Sequence, residues 1–234
     1  MEKLYIVMPA YNEAENIRSV VPDWHEMAVM AGPDSRLVVV DDGSKDNTYE
    51  LLCELSKEYP QLIALTKPNS GHGPTCLYAY DYALKNGADY VFQTDSDGQT
   101  LTEYFPDFWE ARADYEMVIG LREVRNDGFF RLVITRTLRT VLFLFFGEFI
   151  RDANLAYRLM KACPLEKALK IIPKDFFLAN VLISVYFAKN KLKVKSIPVT
   201  IRERQGGTNS IFAPQIIKVG FKATFDLLKI RKRL

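Results

Sequence analysis

The sequence predicts an α/β fold with an open, mostly parallel central sheet, and three observations predict it. Short apolar runs alternate with stretches of helical periodicity through the first 120 residues. The second run, Leu37 to Val40, is almost continuously β-branched, as expected of a parallel strand covered on both faces. Polar clusters then recur where four of the runs end, at residues 9–13, 41–44, 67–73 and 95–99. In an open parallel sheet the carboxyl ends of the strands share one edge, and ligands bind outside it. Turn chemistry alone does not account for four polar clusters on that edge.

Taken in order, Leu4 to Met8 predicts a first strand that Pro9 ends, followed by a helix from Asn12 or Glu13 with Ile17, Val20, Val21 and Trp24 on one face. Leu37 to Val40 runs out into Asp41-Asp42-Gly43-Ser44, and Asp46 or Asn47 is placed to cap a helix carrying Tyr49, Leu52, Leu55 and Tyr59. Leu62 to Leu65 predicts a third strand, residues 75–86 a helix, residues 89–95 a fourth strand and Met117 to Gly120 a fifth. The second half is less regular. Helices are expected near 130–146, 154–161 and 176–190, a strand at Lys193 to Thr200, and a last helix after Pro214.

The chain has 234 residues, 48% of them hydrophobic and 26% charged, which suits one globular body with a filled core. A net charge of +2 gives no reason to expect nucleic acid as a partner. Cys53, Cys76 and Cys163 lie far apart with no Cys-x-x-Cys pair, the pattern of reduced intracellular cysteines. No signal peptide is visible before the first strand. The longest apolar run, Val141 to Phe146, is stopped by Gly147-Glu148 and is too short to span a bilayer.

The segment Gln93-Thr94-Asp95-Ser96-Asp97-Gly98-Gln99 carries the most chemistry. Residues i and i+2 of a strand face the same way, so Asp95 and Asp97 can converge as the fourth strand ends, with Gly98 relieving the turn. Two converging carboxylates repel unless a cation lies between them, and a hard divalent ion is the natural occupant. An ordinary Asp-rich turn gives the same local pattern, and the neighbouring clusters decide between the two.

Those clusters give the chain a family likeness. It resembles the inverting nucleotide-sugar glycosyltransferases of family 2, which have a single Rossmann-like GT-A domain, and within them the dolichyl- or polyprenyl-phosphate glycosyltransferases. The residues that carry the likeness are Ile6 to Ile17, Val39 to Thr48, Asn69-Ser70-Gly71-His72-Gly73 and Asp95-Ser96-Asp97-Gly98-Gln99. Further on come Gly120-Leu121-Arg122, Arg131 with Thr135, Asp152 to Leu159, and Arg204-Gln205-Gly206-Gly207-Thr208. The chain departs from the dolichyl-type pattern at Ala156-Tyr157-Arg158, where Gly-Phe-Arg is usual, and at Asn180, where an acidic residue is common.

The resemblance implies a nucleotide-sugar half over residues 1–120 and an acceptor-side, more helical portion of the same domain over 121–234. Pro9, Ala10, Tyr11 and Glu13 would line the base and ribose pocket, with Asp41 or Asp42 accepting from base or ribose. Ser96 would assist at the donor, and Gln99 would help hold either the donor or the acceptor phosphate. Asp97 would hold Mg²⁺ or Mn²⁺ against the diphosphate, and Asp95 would either join it as a ligand or contact ribose or sugar. Arg122, Arg131 and Thr135 would bind an acceptor phosphate and Arg204 the donor diphosphate, so Asp97, Arg122, Arg131 and Arg204 are the candidate catalytic residues. His72 and Lys67 read as bland by comparison, with no second histidine near the first.

The acceptor decides whether a base is required. A sugar hydroxyl wants a carboxylate beside it, whereas a polyprenyl phosphate is already ionised near neutral pH. Asp152 and Asp175 are possible bases, and each has a structural alternative: bracing the arginines, or capping a helix. Sugar transfer from a UDP- or GDP-sugar to a polyprenyl phosphate is therefore the expected reaction. Transfer to a saccharide hydroxyl in envelope glycan assembly is the alternative, and a non-catalytic nucleotide-binding scaffold a third reading. The first strand ends in Pro9-Ala10-Tyr11 rather than a Gly-x-Gly-x-x-Gly turn, which speaks against a nicotinamide enzyme. The apolar stretch 138–150 beside Arg136 and Arg139, and the basic-ended segment 216–234, suit peripheral contact with the cytoplasmic face of a membrane. A core-packing helix with a solvated basic tail explains the latter segment equally well.

Overall fold

The strands are Leu4–Ala10 (β1), Arg36–Asp41 (β2), Leu62–Thr66 (β3), Tyr90–Thr94 (β4), Met117–Arg122 (β5), Tyr157–Lys161 (β6) and Val194–Val199 (β7). They form one sheet ordered β3-β2-β1-β4-β6-β5-β7. The helices are Ala14–Ala31 (α1), Thr48–Glu58 (α2), His72–Lys85 (α3), Phe105–Ala111 (α4), Phe129–Phe146 (α5), Ala162–Leu169 (α6) and Ala179–Lys189 (α7). The computed structural model describes residues 2–122, 129–148, 150, 152–202 and 230, with only the helical backbone at 129–136 and 138. Among the described residues, no helix is long and apolar enough to cross a membrane.

Burial on both faces explains the continuous apolar runs. Leu4, Ile6, Met8, Leu37 and Val39 pack with Ile17, Val21 and Trp24 of α1, Leu52 of α2 and Phe108 of α4. The alternating residues Tyr5, Val7, Val38 and Val40 face Tyr80 of α3, Leu165 of α6 and Val181 of α7 on the other side. Trp24 anchors an aromatic cluster: its ring lies 5.3 Å from that of Phe92, which stands edge-on 4.9 Å from Tyr157. The result is a three-layer α/β/α body with two cores separated by the sheet.

The structure corrects four expectations about the elements. Pro9 does not end β1 but lies inside it, opposite Val40 of β2. Its carbonyl accepts from Ser96 Oγ on the β4 side, where strand pairing has already stopped at Val7 and Gln93. The missing N–H points to that same side, so no ladder bond is lost. Residues 157–161 form β6 rather than the end of a helix, and β6 runs antiparallel to both β4 and β5. The helix expected from 176 begins at Ala179, leaving residues 173–178 as a loop, and α3 begins at His72, earlier than expected. The last expected helix, after Pro214, lies outside the described residues apart from Ile230.

The reversed strand matters for the site. Thr94 pairs with Tyr157, so residues 152–156 arrive at the edge where Asp95 leaves β4.

Candidate active site

The exits of β1 and β2 are laced together by side chains. Asn12, in the left-handed region at φ 54°, donates its N–H to Ser44 Oγ (2.9 Å) and accepts from Lys45 N at Oδ1 (2.8 Å). Glu13 N donates to Thr48 Oγ1 (2.9 Å), and Thr48 is itself held by Asp46 Oδ1 at 3.1 Å from its N–H. Asp46, not Asn47, therefore supplies the side-chain bond at the start of α2. Ser96 Oγ donates to Pro9 O (2.8 Å), which draws the β4 exit onto β1.

The aspartate pair at the end of β2 divides its work. Asp41 is buried and turned inward, accepting from Ser44 N (3.1 Å) and Thr66 Oγ1 (2.8 Å). Asp42 accepts from Ser70 N (2.9 Å), Gly71 N (2.8 Å) and the Lys67 ammonium. Lys67 is thus neither a solvated charge nor a free cation: it pins the 67–71 loop to Asp42 and Ser70.

These ties open a cleft of about 370 Å³ at the carboxyl ends of the strands. Pro9, Ala10, Tyr11, Glu13, Asp42, Asp95, Ser96 and Asp97 all line it, so eight of the expected donor-side residues are brought together. Asp41 is absent from the lining and braces the loop instead. Gln99 turns away, its amide donating to Arg202 O (3.0 Å) while its N–H donates to Asp97 Oδ1 (3.1 Å). Gly98 takes φ 71° to make this turn, a conformation that favours glycine.

Of the remaining lining, Asn69, Gly71 and His72 belong to the Asn69–Gly73 motif, whereas Thr75 and Phe177 carried no sequence signal. His72 Nε2 lies 3.2 Å from Asp95 Oδ1, at the first turn of α3. The Cys76 sulfur and then the Asp95 carboxylate favour the imidazolium and hold His72 well above the usual histidine value. The sequence clue was its place after Gly71, which starts a helix aimed at the polar edge. Phe177 reaches the cleft because Gly73 packs α3 directly on the 176–177 backbone. A Cβ at Gly73 would lie 2.2 Å from Phe177 O and 2.4 Å from Phe176 O. Gly73→Ala is therefore expected to displace that loop and cost about 1–3 kcal/mol, readable by urea unfolding.

The matching family model, glycosyl transferase family 2, spans residues 5–169 and takes in every one of these cleft-edge segments except Phe177. The chain belongs to glycosyl transferase family 2. Among relatives of this family 2 chain, polyprenol monophosphomannose synthase of Mycolicibacterium smegmatis is 28% identical over 230 residues, covering 94% of this chain and 85% of the relative. The UDP-N-acetylglucosamine–dolichyl-phosphate N-acetylglucosaminyltransferase of Methanococcus voltae is 25% identical, covering 97% and 96%. Glucosyl-3-phosphoglycerate synthase from Mycobacterium tuberculosis, crystallised with Mn²⁺, UDP and phosphoglyceric acid, shares the fold at a TM-score of 0.72 and 15% identity, covering 98% of this chain and 78% of that one.

In this family 2 chain, the acceptor-side candidates are only partly described. Arg122 ends β5 with Nε 3.6 Å from Asp152 Oδ2, two strands away from β4 and outside the cleft lining. Arg131 and Thr135 lie on α5, whose side chains there are outside the described residues. Arg204 is outside them too, but the chain leading to it is anchored: Arg202 Nε donates to Gly98 O (2.6 Å) and Arg202 N to Gln99 O (3.1 Å). Asp175 is exposed and lies off the cleft.

The chemistry of the donor set fits a divalent ion. Asp95 and Asp97 offer two carboxylates, and among the described residues no group of three or more His, Cys, Asp or Glu side chains is arranged to hold an ion alone. Mg²⁺ and Mn²⁺ are suited to such half-sites, because substrate phosphate oxygens complete the shell.

Proposed function

We propose that this family 2 enzyme transfers a sugar, with inversion, from a UDP- or GDP-sugar to a polyprenyl phosphate, using Mg²⁺ or Mn²⁺ at Asp95 and Asp97. The observation that carries the reading is the convergence of Tyr11, Asp42, Asp95 and Asp97 on one cleft at the strand ends. One relative is named as a polyprenol monophosphomannose synthase and the other as an N-acetylglucosaminyltransferase of dolichyl phosphate, which supports the acceptor.

Each residue has a physical task. Pro9, Ala10, Tyr11 and Glu13 wall the nucleoside, and Asp42, already oriented by three donors, presents a fixed acceptor edge to base or ribose. When held in the cleft, a divalent ion would supply Lewis-acid neutralisation of the departing diphosphate. Asp95 and Asp97 place that ion, and α3 turns its N-terminal, partially positive end toward the same space. Arg204 follows closely on the anchored Arg202 and is assigned to the donor diphosphate. Arg122, Arg131 and Thr135 are assigned to the acceptor phosphate, with residues 1–120 as the donor half and 121–234 as the acceptor half.

The fate of the candidate bases favours a phosphate nucleophile. Asp152 is engaged with Arg122 and Asp175 stands off the cleft, so neither is placed to deprotonate a sugar hydroxyl. An ionised phosphate needs no base, only charge and position. Peripheral contact with a membrane would bring the enzyme to such a lipid.

The test is turnover of UDP- and GDP-sugars with Mn²⁺ or Mg²⁺, with and without a short polyprenyl phosphate, with products identified by mass. Transfer that requires the prenyl phosphate is expected. Transfer to an oligosaccharide in its absence would overturn the acceptor assignment.

A further inference from the structure

Behind the cleft lies a buried polar network that the reaction itself does not use. Gln93 of β4 is fully buried, two residues before Asp95 and on the same side of the strand. Its Nε2 donates toward Asp95 Oδ1 (3.4 Å), while its Oε1 accepts from Asn180 Nδ2 (2.8 Å) and faces the Tyr80 hydroxyl (3.2 Å). Tyr80 OH donates to Asn180 Oδ1 (2.8 Å), closing a three-membered ring between β4, α3 and α7. The backbone carbonyl of Asn180 accepts in turn from Arg158 Nη1 (3.0 Å) and from Ser184 Oγ (2.9 Å). Tyr80, Asn180, Arg158 and Ser184 are all buried.

A primary amide has one donor end and one acceptor end, so its orientation is information. With Asn180 Nδ2 pointing at Gln93 Oε1, only the NH₂ of Gln93 is left to face Asp95. The reverse orientation would set the Gln93 carbonyl against a carboxylate. His72 Nε2 also approaches Oδ1 of Asp95, at 3.2 Å. Both donors therefore address Oδ1, which leaves Oδ2 as the oxygen for a cation.

We propose that Asn180, with Tyr80, is a positioning residue that fixes the Gln93 amide and thereby holds Asp95 preformed as a cation ligand. This rests on the metal reading given above. Groups that orient a metal-binding side chain commonly change metal affinity by about 10–100-fold when removed. Asn180→Asp tests the point with almost no change of shape. It replaces the donor by an acceptor, beside a buried arginine, and makes Gln93 turn its NH₂ toward position 180 and away from Asp95.

The experiment is calorimetric titration of Mn²⁺ into the full chain saturated with UDP, for wild type, Asn180→Asp, Tyr80→Phe and Gln93→Leu, with thermal melts and metal-free UDP titrations alongside. Mn²⁺ affinity is expected to fall about tenfold in Asn180→Asp and Gln93→Leu and about threefold in Tyr80→Phe. Metal-free UDP affinity should not move, and any variant that melts cooperatively enters the comparison. Unchanged Mn²⁺ affinity in folded Asn180→Asp and Gln93→Leu would overturn this proposal alone. Failure of the wild-type protein to bind Mn²⁺ with UDP would overturn it together with the metal reading.

Discussion

Asp97→Asn is expected to lower sugar transfer about 10²–10³-fold, the range seen when one electrostatic stabiliser of a developing anion is removed. The substitution is mild for the fold. Asp97 Oδ1 accepts from Gln99 N at 3.1 Å, and the amide oxygen of Asn can accept the same bond. The Gly98 turn should therefore persist, and stability should stay within about 0.5 kcal/mol of wild type. What disappears is a negative charge facing the cleft, and with it half of the carboxylate pair that would hold a divalent ion. Steady-state transfer at rising Mn²⁺ checks the prediction. Recovery of full turnover at high metal would mean that Asp97 sets affinity only, and near-normal turnover at low metal would sink its assignment.

The largest stability effect is expected at Arg158. Arg158→Met should destabilise the protein by about 3–5 kcal/mol, measured by urea unfolding. The guanidinium is fully buried on β6, and burial lowers it from the usual arginine value, though arginine keeps its charge. Its donors reach Leu155 O twice (3.1 and 2.7 Å), Ala153 O (3.0 Å), Asn180 O (3.0 Å) and Ser184 Oγ (3.2 Å). Methionine would relieve the desolvation of the charge. It would also strip Leu155 O of both side-chain donors and leave Ala153 O and Asn180 O to share the single proton of Ser184 Oγ. The 153–155 segment then loses its main tie to the sheet. A loss below about 1 kcal/mol would show that the segment is held by its apolar contacts alone.

The cleft of the first half was legible because its residues sit on short, regular units. Val38, Val39 and Val40 announce a doubly covered strand, and the strand ends then place Asp42, Asp95 and Asp97 on one edge without any tertiary information. The reading failed where burial removes the pattern. In β6, Tyr157 and Leu159 enter one core while Met160 enters the other, so no polar face marks a period of two. Arg158 deepened the error, since an arginine in a short apolar run suggests a helix surface, and only the carbonyls gathered around it make burial tolerable. The division of labour between Asp41 and Asp42 was equally hidden. It depends on Thr66 and the 67–71 loop, which are some 25 residues further along the chain.

The reversal of β6 has a consequence for how such a body can be altered. Because β6 starts where the parallel strands finish, residues 152–156 leading into it lie at the cleft edge of the sheet, where Asp152 meets Arg122. The turn from α3 into β4 lies at the opposite rim, where Asp89 and Tyr90 bond to Lys3 at the start of β1. Residues inserted at the first place would reshape what the enzyme can accept. The same residues inserted at the second would lengthen a remote bend and leave its choice of partner untouched.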